Sequence, residues 1–176
     1  GEQSLKGAKG AVFTKKMAAA AAHNKQAAKP KAKVKPPKFR PLQLATLVDA
    51  VPAGNGWFHE IKYDGYRAEV AAAGDDVRVY TRSGLDWTDK FAPLARHIAA
   101  LGLPPCLIDG EIVAYGKDGN PDFSALQAVL KRGHGAQDDD TDLHFFAFDL
   151  IELRAKSLTK LGNLERKERL EALLRD

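Results

Sequence analysis

An abrupt change of composition near residue 38 limits most strongly what this chain can fold into. Residues 1–38 repeat alanine and lysine, contain few bulky apolar side chains, and end soon after Pro36 and Pro37. Such a segment cannot bury enough apolar surface to offset the backbone entropy lost on folding. We therefore predict a disordered, basic linker over residues 1–38 and a folded region over residues 39–176.

Charge divides the chain at almost the same place. Residues 1–40 hold eleven of the 27 basic residues and one of the 23 acidic residues, a net charge of +10, so the remainder carries −6. A mobile basic arm is attracted to the phosphates of nucleic acid without reading sequence. A solvated tether between domains has a similar composition, and composition alone favours the tether.

Length and composition also restrict the class of protein. The 176 residues are 44% hydrophobic and 28% charged, as in an ordinary soluble domain. The sequence has neither an apolar run long enough for a bilayer nor a secretory signal. A lone cysteine, Cys106, excludes an internal disulfide and a cysteine-rich zinc site. We predict a cytoplasmic protein that has no membrane partner.

Periodicity beyond residue 39 predicts a mixture of strands and helices. The predicted strands are 57–62, 66–73, 77–81, 106–115 and 143–153. The second and third of these would form a hairpin around Gly74, because glycine and aspartate supply the turn conformations that branched residues resist.

Three helices are predicted from apolar residues that recur every three to four positions. The first is capped by Thr88 and ends at Gly102. The second directs three side chains inward, which are Phe123, Leu126 and Leu130. A charged helix that begins near Leu164 closes the chain.

The stretch from Glu60 to Arg67 reads Glu-Ile-Lys-Tyr-Asp-Gly-Tyr-Arg and carries the most chemical information. The amine of Lys62 can attack the α-phosphorus of a nucleotide when nearby cations, such as Arg67 or Mg²⁺, or removal from water expose its lone pair. Gly65 would let the backbone turn tightly beside the nucleotide. Taken alone, a Lys-x-Asp-Gly match is more typical of an ordinary surface hairpin.

Four motifs in one order, of which this stretch contains the first, favour a chemical role for Lys62. Lys62-x-Asp64-Gly65-x-Arg67 resembles the nucleophile motif of the covalent nucleotidyltransferases, which include DNA ligases, RNA ligases and mRNA capping enzymes. Three segments that resemble the superfamily's next motifs follow, namely Arg82-Ser83-Gly84, Asp109-Gly110-Glu111 and Phe146-Ala147-Phe148-Asp149-Leu150. Each alone has an ordinary structural explanation, such as a β-bulge or a core aromatic residue. Their conjunction is the basis of the resemblance.

Flanking segments resemble one branch of that superfamily, the ligase module of bacterial end-joining DNA ligases. The similar segments are 41–48, 57–60, 82–88, 122–127 and 164–167. The resemblance implies an α+β fold with mostly antiparallel sheets flanked by helices, the N-terminal part of an ATP-grasp-like adenylation domain. It also implies an ATP-dependent DNA ligase that seals nicks through a lysyl-AMP intermediate in end-joining repair, with ATP and Mg²⁺ or another divalent metal as cofactors.

The resemblance assigns a role to each motif residue. Lys62 would become adenylated, and Glu60 would help to recognise adenine while Phe148 stacks on it. Arg82 and Glu111 would fix the sugar, with Glu111 as an alternative metal ligand. A sixth residue, Arg67, would lie near the ribose or the phosphate of the nick.

The same resemblance implies partners and a missing part. Nicked double-stranded DNA is the implied substrate in the bacterial cytoplasm or nucleoid, with the Ku end-binding protein and fused phosphoesterase or polymerase domains as further partners. The family also has later Glu-Gly and Lys-x-Lys motifs, and neither follows Asp149. We therefore expect 39–176 to be a partial domain of a longer product, which seals little DNA alone.

Two kinds of alternative stay open at this point. An RNA ligase or a capping guanylyltransferase would use the same lysine chemistry, whereas an NAD-dependent ligase would need a cysteine zinc module that one cysteine cannot supply. A catalytically dead segment that tethers DNA through its basic residues belongs to a different class of function.

Overall fold

A computed structural model of the chain describes residues 11–13, 34–116, 118–131 and 142–175. The strands in these residues are β1 (Ala11–Phe13), β2 (Tyr66–Ala73), β3 (Asp76–Thr81), β4 (Cys106–Tyr115), β5 (Asp142–Leu153) and β6 (Lys156–Ser157). The helices are α1 (Ala92–Ala100), α2 (Phe123–Lys131) and α3 (Asn163–Arg175). None of these three helices combines the length and the apolar character that crossing a membrane requires.

All of the strands form one antiparallel sheet. Its order is β1-β5-β4-β2-β3, and β6 pairs with the other end of β5. The prediction of an α+β fold with a mostly antiparallel sheet is therefore confirmed. Residues 11–13 of the predicted linker pair with β5 as β1. Most of that linker lies outside the described residues, and its disorder stays a prediction.

The hairpin of β2 and β3 follows the predicted turn. Ala73 pairs with Asp76, and Gly74 between them has a φ of +64°, a conformation that residues with a Cβ rarely adopt. Gly102 likewise ends α1 with a φ of +63°, as predicted. Both positions are local signals, because each depends on the backbone freedom of one glycine.

One face of the sheet forms the hydrophobic core. The strands contribute Val70, Ile108, Ile112, Phe145 and Leu150 to this core, and the helices contribute Leu94, Ile98, Leu126 and Leu170. Gly110 allows this packing, because a Cβ at that position would lie 2.4 Å from Cζ of Phe145. The intervening positions of β2 and β4 point to the opposite face, and several of them are charged, including Arg67 and Asp109.

The predicted strand over residues 57–62 is wrong. No strand in the described part of the chain pairs with this segment, and its Trp57 and Ile61 side chains are 54% and 75% exposed. Alternation of apolar and polar residues produces a strand only where a neighbour supplies the ladder of hydrogen bonds. Here the segment instead forms one wall of a cavity.

Two predicted details of the helices are also wrong. Thr88 does not cap α1, which begins after Phe91 without a capping side chain; its Oγ1 instead accepts a hydrogen bond from the Val79 N–H at 3.0 Å. Phe123 does not face inward and is 42% exposed. The buried residues of α2 are Leu126 and Val129. At about 100° per residue, Phe123 lies roughly 90° away from their midpoint.

Candidate active site

A cavity of about 940 Å³ opens on the charged face of the sheet. Its walls come from β2, β4 and β5, from residues 43–45 and 59–63, and from α3. Five of the six residues that the sequence predicts for the site line this cavity: Glu60, Lys62, Arg67, Glu111 and Phe148. Arg82 is exposed in the turn after β3 and is not among the lining residues.

Gly65 lets the lysine motif pass close to β4. A Cβ at this position would lie 2.2 Å from the carbonyl oxygen of Ile112, so only glycine fits without moving the backbone. The Gly65 N–H donates a hydrogen bond to the carboxylate of Glu111. The glycine thus brings the segment that carries Lys62 close to β4. This requirement for glycine differs from the predicted one, which was a tight turn beside a nucleotide.

Arg67 is held by a bidentate ion pair across β2 and β4. Its Nε donates to Oδ1 of Asp109 at 3.1 Å, and its Nη2 donates to Oδ2 at 2.7 Å and to the Gln43 carbonyl at 2.8 Å. The guanidinium also lies 5.6 Å from the ring centroid of Phe148. The hydrogen bond to Asp109 raises the pKa of Arg67. This arginine is therefore a fixed positive charge in the cavity.

Glu111 presents a half-buried carboxylate near the lysine. Burial raises its pKa, while the Gly65 N–H and the positive charges of Arg67 and Lys62 act in the opposite direction. The register of the sheet places Glu111 directly opposite Arg67. The site therefore combines an amine, a guanidinium and a carboxylate within one wall.

A second bidentate pair attaches α3 to β5. Arg166 donates through Nε and Nη2 to the two oxygens of Asp149 at 2.8 and 2.9 Å, and through Nη1 to the Leu161 carbonyl at 2.7 Å. Arg166 is only 7% exposed, and the hydrogen bonds to Asp149 raise its pKa. The position of α3 relative to the cavity is thereby fixed.

Lys167, the next residue of α3, reaches into the cavity. Its ammonium donates to the Glu60 carboxylate and, at 2.6 Å, to the Phe148 carbonyl. The sequence motifs had assigned no role to Lys167, Asp109 or Asp149. A signal was present for the two aspartates, because a carboxylate inside an apolar strand needs a cationic partner.

Aromatic rings form the apolar part of the site. The rings of Tyr63 and Phe146 stack with centroids 3.9 Å apart and planes inclined by 25°. Burial raises the pKa of Tyr63, so its hydroxyl stays neutral at physiological pH. Together with Phe148, these rings offer flat surfaces beside charged groups, which suits a ligand that has both an aromatic ring and phosphates.

The cavity has few carboxylates available for a metal ion. Asp109 and Asp149 are engaged by arginines, and the described residues contain no group of three or more His, Cys, Asp or Glu suited to hold a metal. Glu111 remains as one possible ligand. A single carboxylate fits Mg²⁺, which commonly takes most of its other ligands from water and substrate phosphates.

Comparison with known proteins identified one matching family model and several relatives. The family model described as ATP dependent DNA ligase domain matches residues 42–176. A multifunctional non-homologous end joining protein LigD of Pseudomonas aeruginosa is 38% identical over 138 residues, which are 78% of this chain and 16% of the relative. A DNA ligase of Natronomonas pharaonis is 30% identical over 145 residues, or 81% of this chain and 26% of the relative.

Two solved structures are similar as well. The crystal structure of the ligase domain from M. tuberculosis LigD has a TM-score of 0.53 and 34% identity, covering 66% of this chain and 36% of that one. A mycobacterial DNA ligase D complexed with ATP and MES has the same TM-score and 33% identity over the same shares. The chain therefore spans a minor part of each of these relatives.

Proposed function

We infer the function from one premise: the chain belongs to the family of ATP-dependent DNA ligase domains. On that premise we propose that the cavity binds ATP and that Lys62 becomes covalently adenylated as the first step of joining DNA strands. The observation that carries this proposal is the convergence of Lys62, Arg67, Glu111 and Phe148 on one cavity. These residues come from separate segments, and they supply a nucleophile, charges of both signs and an aromatic surface.

The proposed reaction is a displacement at the α-phosphorus of ATP. The deprotonated Nζ of Lys62 forms a bond to phosphorus, the bond to the bridging oxygen breaks, and pyrophosphate leaves with that oxygen. The AMP then passes to the 5′-phosphate at a nick, and the 3′-hydroxyl displaces AMP to seal the strand. In such phosphoryl displacements a protein contributes mainly position and charge.

Each residue has a role consistent with its place. The Phe148 ring would stack on adenine through the face opposite Arg67, and the Glu60 carboxylate would accept a hydrogen bond from the base. Glu111 would hold the ribose or, together with the phosphates, a Mg²⁺ ion that offsets their negative charge. The assignment of Arg82 to the sugar stays a prediction, because this residue does not line the cavity.

The wider setting belongs to the same proposal. Nicked double-stranded DNA is the proposed substrate, and the +10 charge of residues 1–40 would favour its phosphates. The names of the LigD relatives support a place in end-joining repair. The Ku end-binding protein, fused phosphoesterase or polymerase domains and a bacterial cytoplasmic location remain predictions.

Nick sealing tests the proposal. The protein that contains this sequence is incubated with nicked duplex DNA, Mg²⁺ and either ATP or GTP, and the sealed strand is measured on a denaturing gel. We expect sealing with ATP, and loss of sealing in Lys62→Arg, which keeps the charge but not the nucleophilic amine. Equal sealing by Lys62→Arg and the parent would refute the role of Lys62. Sealing with GTP alone would refute the choice of nucleotide.

A further inference from the structure

Lys167 lies where three segments of the cavity meet. Its ammonium donates one hydrogen bond to Oε1 of Glu60 and another to the backbone carbonyl of Phe148, the latter at 2.6 Å. It also lies 5.7 Å from the ring centroid of Phe58. One side chain thus links α3 to β5 and to the segment that precedes the lysine motif.

The burial of the two partners indicates which of them is the fixed point. The Lys167 side chain is 13% exposed, whereas that of Glu60 is 39% exposed. An exposed glutamate has several rotamers available, and an ion pair to a less exposed lysine restricts them. The lysine therefore acts as the anchor and the glutamate as the group that is held.

Only one oxygen of Glu60 is used by this pair. Lys167 binds Oε1, and within the part of the chain that the structure describes no hydrogen bond involves Oε2. An ionised carboxylate is an acceptor at both oxygens. The arrangement holds Glu60 in one orientation and leaves Oε2 as an acceptor beside the cavity.

The anchor is itself well supported. Arg166 and Lys167 are neighbours on α3, and their partners Asp149 and Phe148 are neighbours on β5. The two adjacent contacts restrict sliding of the helix along the strand. The position of the Lys167 ammonium therefore follows from the packing of α3 and does not depend on a ligand.

We propose that Lys167 is a positioning residue, which sets the Glu60 carboxylate opposite the amino group of adenine and thereby contributes to the selection of ATP over GTP. This inference rests on the proposed function. At the ring position where adenine carries its amino donor, guanine carries the acceptor oxygen O6. Guanine bound in the same orientation would place two acceptors against each other, which costs binding energy.

Kinetics of lysine adenylation test this role. In the protein that contains this sequence, the rate of covalent labelling is measured against the concentration of ATP or GTP radiolabelled at the α-phosphorus. For Lys167→Met, which removes the charge and keeps an unbranched side chain, we expect the KM for ATP to rise by about tenfold. The maximal rate of labelling at saturating ATP should change far less. The preference for ATP over GTP should fall by about the same factor as the KM rises. Lys167→Arg should recover part of both losses.

Repeating the Lys167 substitution in a Glu60→Gln variant separates positioning of Glu60 from a general loss of protein stability. If Lys167 acts through Glu60, Lys167→Met should cause little further change in preference when Glu60 is already glutamine. Arg169→Gln is the matched control, because Arg169 lies on the same helix in an exposed pair with Glu165. This control should leave both KM and preference unchanged.

The outcomes are distinguishable. A parent protein that takes no label from either nucleotide would overturn the proposed function and this inference with it. A labelled parent whose Lys167→Met variant keeps its KM and its preference for ATP would overturn the role of Lys167 alone. Equal effects of Lys167→Met in the parent and in the Glu60→Gln variant would also overturn it.

Discussion

The two faces of the sheet differ strongly in polarity and in what they contact. On one face Val70, Ile108 and Leu150 are fully buried among the helices. On the other face β2 and β4 present Arg67, Asp109 and further charged groups to a cavity. The same strands supply both faces, because successive side chains point in opposite directions. The core face stabilises the fold, and the charged face contributes side chains to the cavity.

The charged face has an arrangement that stability alone would not favour. Glu69, Asp109 and Asp149 occupy paired positions on β2, β4 and β5, so three carboxylates lie in a row. Arginines compensate the latter two through the ion pairs of Arg67 and Arg166. Buried ion pairs of this kind roughly balance their desolvation cost. Such pairs hold charges in place and add little to the free energy of unfolding, which suits a binding site.

The largest difference should appear between two phenylalanines of β5. Phe145 is completely buried in the core, and we expect Phe145→Ala to lower the free energy of unfolding by about 3–5 kcal/mol. Phe148 is half-buried and lines the cavity, so Phe148→Ala should destabilise far less but abolish adenylation. Urea unfolding and covalent labelling measure the two effects. A stability loss from Phe148→Ala as large as that from Phe145→Ala would erase the distinction between the faces.

The ion pair of Arg67 and Asp109 gives a sharper test. The Asp109 side chain is 3% exposed, so Arg67→Met leaves a buried charge alone and should cost about 3 kcal/mol. Adding Asp109→Leu removes that charge and should restore most of the stability without restoring adenylation. The stability of both variants is measured by urea unfolding. A double variant no more stable than Arg67→Met would mean that the pair itself stabilises the fold.

Glu69 should make stability depend on pH. Its side chain is fully buried and Oε2 has no hydrogen-bond partner among the described residues. Burial raises the pKa of Glu69 from 4.5 to about 7. The folded state therefore binds more protons than the unfolded state between these values. The stability that the folded state gains by holding Glu69 protonated is fully present below pH 4.5. It is lost as the pH rises through about 7.

The corresponding variant is Glu69→Gln, which cannot ionise and can still accept the hydrogen bond that the Arg40 N–H donates at 2.9 Å. Relative to the parent it should gain stability on going from pH 5 to pH 8, by up to about 3 kcal/mol. Thermal unfolding across that range measures the gain. A constant difference between the two proteins from pH 5 to pH 8 would contradict the assignment.

The smallest effect is expected far from both faces. Glu165 and Arg169 form a pair on α3 with about half of each side chain exposed. Arg169→Gln should cost no more than about 0.5 kcal/mol, because water and salt screen such pairs. Urea unfolding at low and high salt checks this value. A cost above that of Arg67→Met would reverse the expected order of the two effects.

Local signals in the sequence predicted much of the fold. Cys106–Tyr115 forms the predicted strand, and β5 begins one residue before its predicted start. The hairpin turn at Gly74 and the end of α1 at Gly102 each follow from one glycine. These features depend on short-range periodicity or on one residue. They could therefore be predicted without knowing the tertiary structure.

Features that depend on distant residues could not be predicted in this way. The contact between Lys167 and Glu60 joins residues 107 positions apart, and the pairing of Arg67 with Asp109 depends on the register of β2 against β4. Motif resemblance predicted five residues that line the same cavity, including Lys62 and Glu111. It did not indicate how their neighbours hold them.

The site of covalent modification tests the role of Lys62 most directly. The protein that contains this sequence is incubated with ATP and Mg²⁺, digested, and examined by peptide mass spectrometry for the added mass of one AMP. We predict that AMP is found on the peptide that carries Lys62. It should be absent from Lys62→Arg and unchanged in Lys160→Arg, a control at an exposed lysine outside the cavity. AMP on another lysine, or its persistence in Lys62→Arg, would show that Lys62 is not the nucleophile.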